Sequence, residues 1–170
     1  PLDVHKLALR TVVTNELFAD SRPAIDQVLR RMYSDAIRFN EDSVFLWGHG
    51  AGRPLGAFHS QNPALITVNR ATTNQIAWAD ITGMFARLSP ASMRNAVWVA
   101  SQSTIPQLFA MTVEVGTGGS AIFVQSGSAA APPTLLGLPV IFSEHMQTLG
   151  TTGDIGLADF SSYVVGDRQS

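Results

Sequence analysis

The residues best suited to chemistry are four histidines, His5, His49, His59 and His145. None forms an HxxxH or HxH pair, the spacings that place two imidazoles on one face of a helix or strand. Glu144 and His145 are adjacent and point to opposite sides of an extended strand. A zinc or non-haem iron site needs about three convergent ligands. Scattered polar histidines are the plainer reading, with a meeting of His49 and His59 in space left open. Ser101 and Ser103 follow an expected strand, a common place for a nucleophile. No GxSxG elbow is present, and both serines also fit helix capping ahead of Ile105. Asp154, Asp159 and Asp167 could pair for acid–base work. Gly153-Asp and Gly166-Asp equally carry turn chemistry. The most pointed candidate is the loop WGHGAGRPLG, Trp47 to Gly56. Phosphate binding needs a strand before the glycines and a helix after them. Here a long expected helix comes first, and Pro54 and Gly56 oppose a new one. Gly48, Gly50, Gly52 and Pro54 therefore read as a structural turn closing a helix, with glycine supplying positive φ. No catalytic, cofactor-binding or metal-binding residue is assigned, and no cofactor is expected.

The elements that would position these residues are a mixture. HKLALRTVV, residues 5–13, alternates imperfectly and predicts a strand. TNELFADS follows as a short helix capped by Thr14. Ser21 and Pro23 then open the clearest element. Ile25, Val28, Leu29, Met32, Ala36, Ile37 and Asn40 keep helical spacing, and Arg30, Arg31, Asp35, Arg38 and Glu41 supply a polar face. A helix over 22–46 would be roughly 36 Å long. Beyond the glycine loop, Leu65–Val68 predicts a strand and Ala79–Leu88 a helix, with a turn at Ala91–Arg94. Ala96–Ala100 predicts a buried strand. Ile105–Met111 predicts a helix with Thr104 as cap. Val113–Val115 and Ala121–Val124 read as hairpin strands around GTGGS, residues 116–120. Leu138–Phe142, Ile155–Phe160 and Tyr163–Gly166 complete the strands. This interleaving without a repeat predicts an α+β fold. Trp47, Trp78 and Trp98 lie far apart among apolar neighbours. They read as core or interface anchors rather than a base-stacking platform.

Charge is the informative bulk property. Of 170 residues only 14% are charged, against about 25% in ordinary soluble domains. Residues 1–50 carry 13 of the charges and residues 51–170 carry 11. From Asn95 to Ser143 the only charged side chain is Glu114. Together with a mean hydropathy of +0.14, this predicts surface that ends against another subunit. A neutral Gly/Ser/Ala/Thr-rich exterior is the alternative. A net charge of −2 gives no electrostatic footprint for nucleic acid. There is no cysteine, hence no disulfide framework or thiolate metal site. The most apolar stretch, Leu135 to Phe142, is far shorter than the roughly 20 residues of a membrane span. The chain begins at Pro1 without methionine and stops at Ser170 soon after an expected strand, so a longer parent protein is expected.

Five segments, taken in order, resemble the major capsid proteins of tailed bacteriophages with the Hong Kong 97-like fold. They are KLA at Lys6–Ala8 with VTNELFADS at Val13–Ser21, EDSVFLWGHGAGRPLG at Glu41–Gly56, NAVWVA at Asn95–Ala100, PPTLLGLPV at Pro132–Val140, and GDIGLADF with YVVGDR, from Gly153 to Arg168. His49, Arg53 and Ala158 depart from the residues usual in that family. The resemblance implies a Hong Kong 97-like capsid fold with a long spine helix and a mixed-sheet axial lobe. Residues 1–58 would be part of a peripheral lobe, 59–160 an axial lobe, and 161–170 a return strand. An N-terminal arm and extended loop would precede Pro1, and closing strands would follow Ser170. The implied function is structural: a homo-oligomer forming pentameric and hexameric capsomers of an icosahedral shell, not an enzyme. Scaffolding, portal and protease proteins are implied partners, with no tight direct DNA binding and no membrane. The implied location is the virion, and the host cytoplasm during assembly. Gly116, Gly118, Ala121, Ala130 and Pro132 fall in the expected inter-subunit region. An encapsulin-type cellular shell shares the fold. A small α+β enzyme using the 48–56 loop with Asp159 or Asp167 is the alternative from another class.

Overall fold

A computed structural model describes residues 6–14, 16, 22–115, 118–121, 123–124 and 133–166. The chain divides into two units, one of Pro1–Asn62 with Gly166–Ser170 and one of Pro63–Val165.

In the first unit the helical periodicity is realised as α1, Arg22–Trp47, 26 residues long and thus about 39 Å. Ile25, Leu29 and Tyr33 are half-buried along one side, while Val28, Met32 and Phe39 on the same apolar stripe stay exposed. The polar side carries Arg30 Nε on Asp26 Oδ2 at 2.9 Å and Arg31 on Asp35 at 3.9 Å. Both pairs are solvated, so neither adds much to the stability of the helix. The helix stops where Gly48 N–H donates to Val44 O at 2.7 Å. The chain then folds back, with Ala57 N–H on Phe45 O and Phe58 N–H on Leu46 O. Phe58 is buried and stacks obliquely on Trp47, ring centres 6.0 Å apart.

The second unit contains, in order, α2 (Trp78–Ala86), β1 (Val97–Ala100), α3 (Ile105–Ala110), β2 (Thr112–Val115), β3 (Gly118–Ala121), β4 (Phe123–Val124), β5 (Thr134–Leu135), β6 (Leu138–Phe142) and β7 (Ile155–Ala158). Single 3-10 turns lie at Ser92–Arg94, Gln102–Thr104 and Phe160–Ser162. Five strands form one mixed sheet in the order β4-β5-β6-β1-β7, and β2 with β3 forms a separate ribbon. The central strand β1 runs parallel to β6, with Trp98 opposite Val140, and antiparallel to β7, with Val99 opposite Gly156. Strand β1 is central because its residues suit burial on both faces: Trp98, Val99 and Ala100 are all buried. Trp98 carries a polar atom into this core, and its indole N–H donates to Leu135 O at 3.0 Å. Ile81 of α2 and Leu108 of α3 are completely buried in the same cluster. The β5–β6 hairpin turns on Leu136 and Gly137, both at positive φ, as a two-residue type I′ turn requires.

Several expectations need correction. Residues 6–13 and Leu65–Val68 form no strand. A strand exists through its ladder, and no described segment pairs with either run. Tyr163–Gly166 is likewise irregular, and the 155–160 strand ends at Ala158 because Asp159 caps the following 3-10 turn, its carboxylate accepting from Ser161 N–H at 3.0 Å. The strand partner of Thr112–Val115 is Gly118–Ala121, so part of the expected glycine turn is itself strand, and 123–124 pairs in the other sheet. Thr104 stands at the N-cap position of α3 as expected, but its side chain makes no capping hydrogen bond: the hydroxyl donates to Ser101 O at 2.7 Å instead. Of the short helix at 14–21, only Thr14 and Glu16 lie within the described residues.

Candidate functional site

The glycine turn is closed by its own backbone. Gly56 N–H donates to Gly48 O at 2.8 Å, closing the turn, and Ala51 N–H donates to His49 Nδ1 at 3.1 Å. His49 and Leu55 form an isolated antiparallel bridge. Gly48 and Gly56 are required by close approach. A Cβ on Gly48 would stand 2.1 Å from Pro54 O, and one on Gly56 would stand 2.5 Å from Trp47 N. Gly50 and Gly52 take positive φ, 77° and 68°. The turn follows a helix C-terminus, the negative end of the helix dipole, which disfavours a phosphate. The arrangement returns the chain; it has no anion-binding geometry.

The histidines do not converge. His59 Nδ1 accepts from Gln61 N–H at 3.2 Å, as His49 does from Ala51, so each ring is tied to its own turn. Among the described residues no group of three His, Asp or Glu side chains is placed to hold a metal; His5 lies outside them. Ser101 and Ser103 bond to each other, Oγ to Oγ at 3.0 Å, and Ser103 Oγ accepts from Leu149 N–H at 2.9 Å. These hydroxyls fasten the 143–154 loop to the end of β1. Asp159 is held below the ordinary carboxylate range by hydrogen bonds from Ser161 first and Ser92 second. Asp167 lies outside the described residues.

The most developed polar cluster was not legible as such. Asp154 is buried and ion-paired with Arg70, and its second oxygen accepts from Gly150 N–H at 2.9 Å. Its backbone carbonyl accepts from Ser101 N–H. Beside it, Gln107 bridges a neighbouring segment: its amide donates to Asn74 O at 2.6 Å and its carbonyl accepts from Ile76 N–H at 2.7 Å. The one signal in the sequence was that Arg70 is the single charge between Arg53 and Asp80. A cation isolated in so neutral a stretch calls for a partner. A shallow groove runs alongside, with Ile76, Trp78 and Met111 forming apolar lining and Thr73, Asn74 and Gln107 a polar edge. Among the described residues no buried side-chain polar atom lacks a partner. The cluster is therefore a satisfied structural knot.

Of the residues expected at a subunit boundary, Gly118 and Ala121 lie at the two ends of β3, opposite Val115 and Thr112. Gly116, Ala130 and Pro132 lie outside the described residues. No described helix is long and apolar enough to cross a membrane.

Comparison with known proteins gives a consistent picture. The family model described as the phage capsid family matches residues 1–170. A capsid polyprotein of Pseudomonas phage PAJU2 is 27% identical over 175 residues, covering 98% of this chain and 25% of that protein. Two solved structures, the capsids of an empty and of a native GTA particle computed with C5 symmetry, each superpose with a TM-score of 0.70 at 22% identity. Each match covers 92% of this chain and 56% of the solved chain. The chain thus spans about a quarter of the curated relative and just over half of the solved capsid chains, and its α+β fold is shared with the solved chains.

Proposed function

The chain belongs to the phage capsid family, and from that premise we propose that it is part of a major capsid protein, a structural subunit that assembles with copies of itself into a shell. The observation that carries this reading is the family match over the whole chain, with a capsid fold aligned over 92% of it. The physical chemistry agrees. The stretch 95–143 carries one charge, Glu114, and neutral surface packs against a neighbour without desolvating unpaired charge.

Within that reading, α1 is the spine of a peripheral lobe and residues 59–160 the axial lobe. Pentameric and hexameric rings form with Gly116, Gly118, Ala121, Ala130 and Pro132 near the contacts between copies. The shell is icosahedral, resides in the virion, and is built in the host cytoplasm with scaffolding, portal and protease proteins. No observation favours an encapsulin-type shell, and the 48–56 turn, which follows a helix C-terminus, gives no support to an enzyme. The test is electron microscopy of the complete gene product expressed alone. Rings or closed shells are expected. Monodisperse monomers under assembly-permitting conditions would overturn the proposal.

A further inference from the structure

Residues 65–76 cross the second unit without entering its sheets or helices. Among the described residues, no backbone-to-backbone hydrogen bond ties them to any residue outside the segment; Gln75 N–H on Thr72 O, at 3.4 Å, is internal to it. Ile76 is buried, Leu65, Val68 and Arg70 are half-buried, and the remainder are exposed. A segment with so few apolar contacts and no ladder belongs to the low end of local stability.

Side chains hold it instead. Near its start, Arg87, just after α2, donates to Thr67 O at 3.1 Å. Val68 passes over Gly83 of α2, where an added Cβ would stand 3.7 Å from it. At the middle, Arg70 pairs with Asp154. At the end, Gln107 of α3 grips Asn74 O and Ile76 N–H with the two ends of its carboxamide. There the Asn74 side chain fills the space that a Cβ on Gly150 would need. The fastening points sit on elements anchored by contacts of their own. Ile81 of α2 and Leu108 of α3 are fully buried in the core cluster. The 143–154 loop is tied to the end of β1 through Ser101 N–H on Asp154 O and Leu149 N–H on Ser103 Oγ.

We infer that residues 65–76 are a strap that lifts from the unit as one piece while the β4-β5-β6-β1-β7 sheet stays closed, giving the subunit a second, unstrapped state. This goes beyond the shell reading and does not depend on it. The ion pair favours release of the whole segment. Removing one partner strands the other charge in the interior, whereas lifting the strap carries Arg70 into water and hydrates Asp154 with it. Because the fastenings lie along one short length of chain, they open as a cooperative unit. The lifted strap frees Leu65, Val68 and Ile76 and uncovers Asp154 and Gln107, so one surface changes without disturbance of β1, β6 or β7.

Hydrogen exchange of the complete gene product, resolved to single amides by mass spectrometry, tests this. Ile76 N–H, bonded to Gln107, reports the strap, and the amides of Val97–Ala100 report the sheet. Ile76 is expected to exchange about a hundredfold or more faster than the β1 amides. Arg87→Ala loosens the exposed fastening at the other end of the strap and should speed Ile76 about fivefold, the worth of one hydrogen bond. Val68→Ala should do so by a similar factor. Exchange of Ile76 at the β1 rate would mean that the segment leaves only when the unit unfolds. An Ile76 rate unmoved by both variants would mean that the segment frays residue by residue. Either result overturns the strap.

Discussion

Removing either member of the Arg70–Asp154 pair should destabilise the second unit, and by unequal amounts. At an effective dielectric constant near 20, two unit charges 4 Å apart attract by about 4 kcal/mol. Withdrawing both from water costs several kcal/mol. The intact pair is therefore close to neutral in net free energy, and the loss appears only when one partner is stranded. The Asp154 side chain is 3% exposed and that of Arg70 is 17% exposed. Arg70→Met strands the deeper charge and should cost about 4 kcal/mol; Asp154→Asn strands the shallower one and should cost about 2–3 kcal/mol. Asparagine retains an oxygen for Gly150 N–H, so this variant isolates the charge from the hydrogen bond. The double variant should cost less than the sum of the singles by about 2 kcal/mol or more, since no charge is left stranded. Urea denaturation followed by tryptophan fluorescence measures all three. Losses under about 0.5 kcal/mol, the range of ordinary surface changes, or strict additivity in the cycle, would refute the reasoning.

Two further outcomes follow from the turn and the cap. Gly48→Ala should cost about 3 kcal/mol, because its Cβ meets two backbone oxygens, Pro54 O at 2.1 Å and Val44 O at 2.6 Å. Gly52→Ala meets nothing within 4 Å but keeps a φ of 68°, and should cost only about 1 kcal/mol; equal losses, read by helical circular dichroism in urea, would contradict the close-approach account. The depressed Asp159 pKa, caused first by Ser161 and then by Ser92, fixes a sign. Its stabilising contribution is present at neutral pH and is lost as pH falls through its folded value, below the ordinary value of about 4. In an NMR titration, Ser161→Ala should raise that value toward the ordinary one; no change would refute the assignment.

The readable parts of this fold were those whose determinants are local. Helix α1 repeats its apolar positions from Ile25 to Ile37, so periodicity and pairs such as Asp26–Arg30 agree on one element. Strand β1 is a short apolar run of a buried kind, and Trp98 in its middle required a core. Leu65–Val68 and Tyr163–Gly166 have similar local character, yet their lack of a partner strand is not written in their own residues. Gly118 and Gly119 hid β3 for the opposite reason, since glycine has little strand preference but tolerates a ladder once Thr112–Val115 supplies it. The knot at Asp154 was opaque because its cation lies 84 residues away and no spacing rule reaches so far. Spacing left open whether His49 and His59 meet, and whether Ser101 and Ser103 serve as caps. What ties each of them to its own turn or loop required coordinates.

The position of β1 at the centre of the sheet also has a consequence for when this unit can complete its fold. Both neighbours of β1 come from later in the chain: Val140 lies 42 residues after Trp98, and Ala158 lies 61 residues after Val97. Closing loops of that length precedes any gain from the contacts, so folding of this unit is slow relative to a helical one. During synthesis, this buried central strand leaves the ribosome before its partners and waits, with both edges open, until almost the whole unit has followed. A chain halted before Ile155 leaves one edge of β1 permanently unpaired, a template for wrong pairing. Completion of the sheet thereby waits on Ile155–Ala158, the last of its strands in the chain.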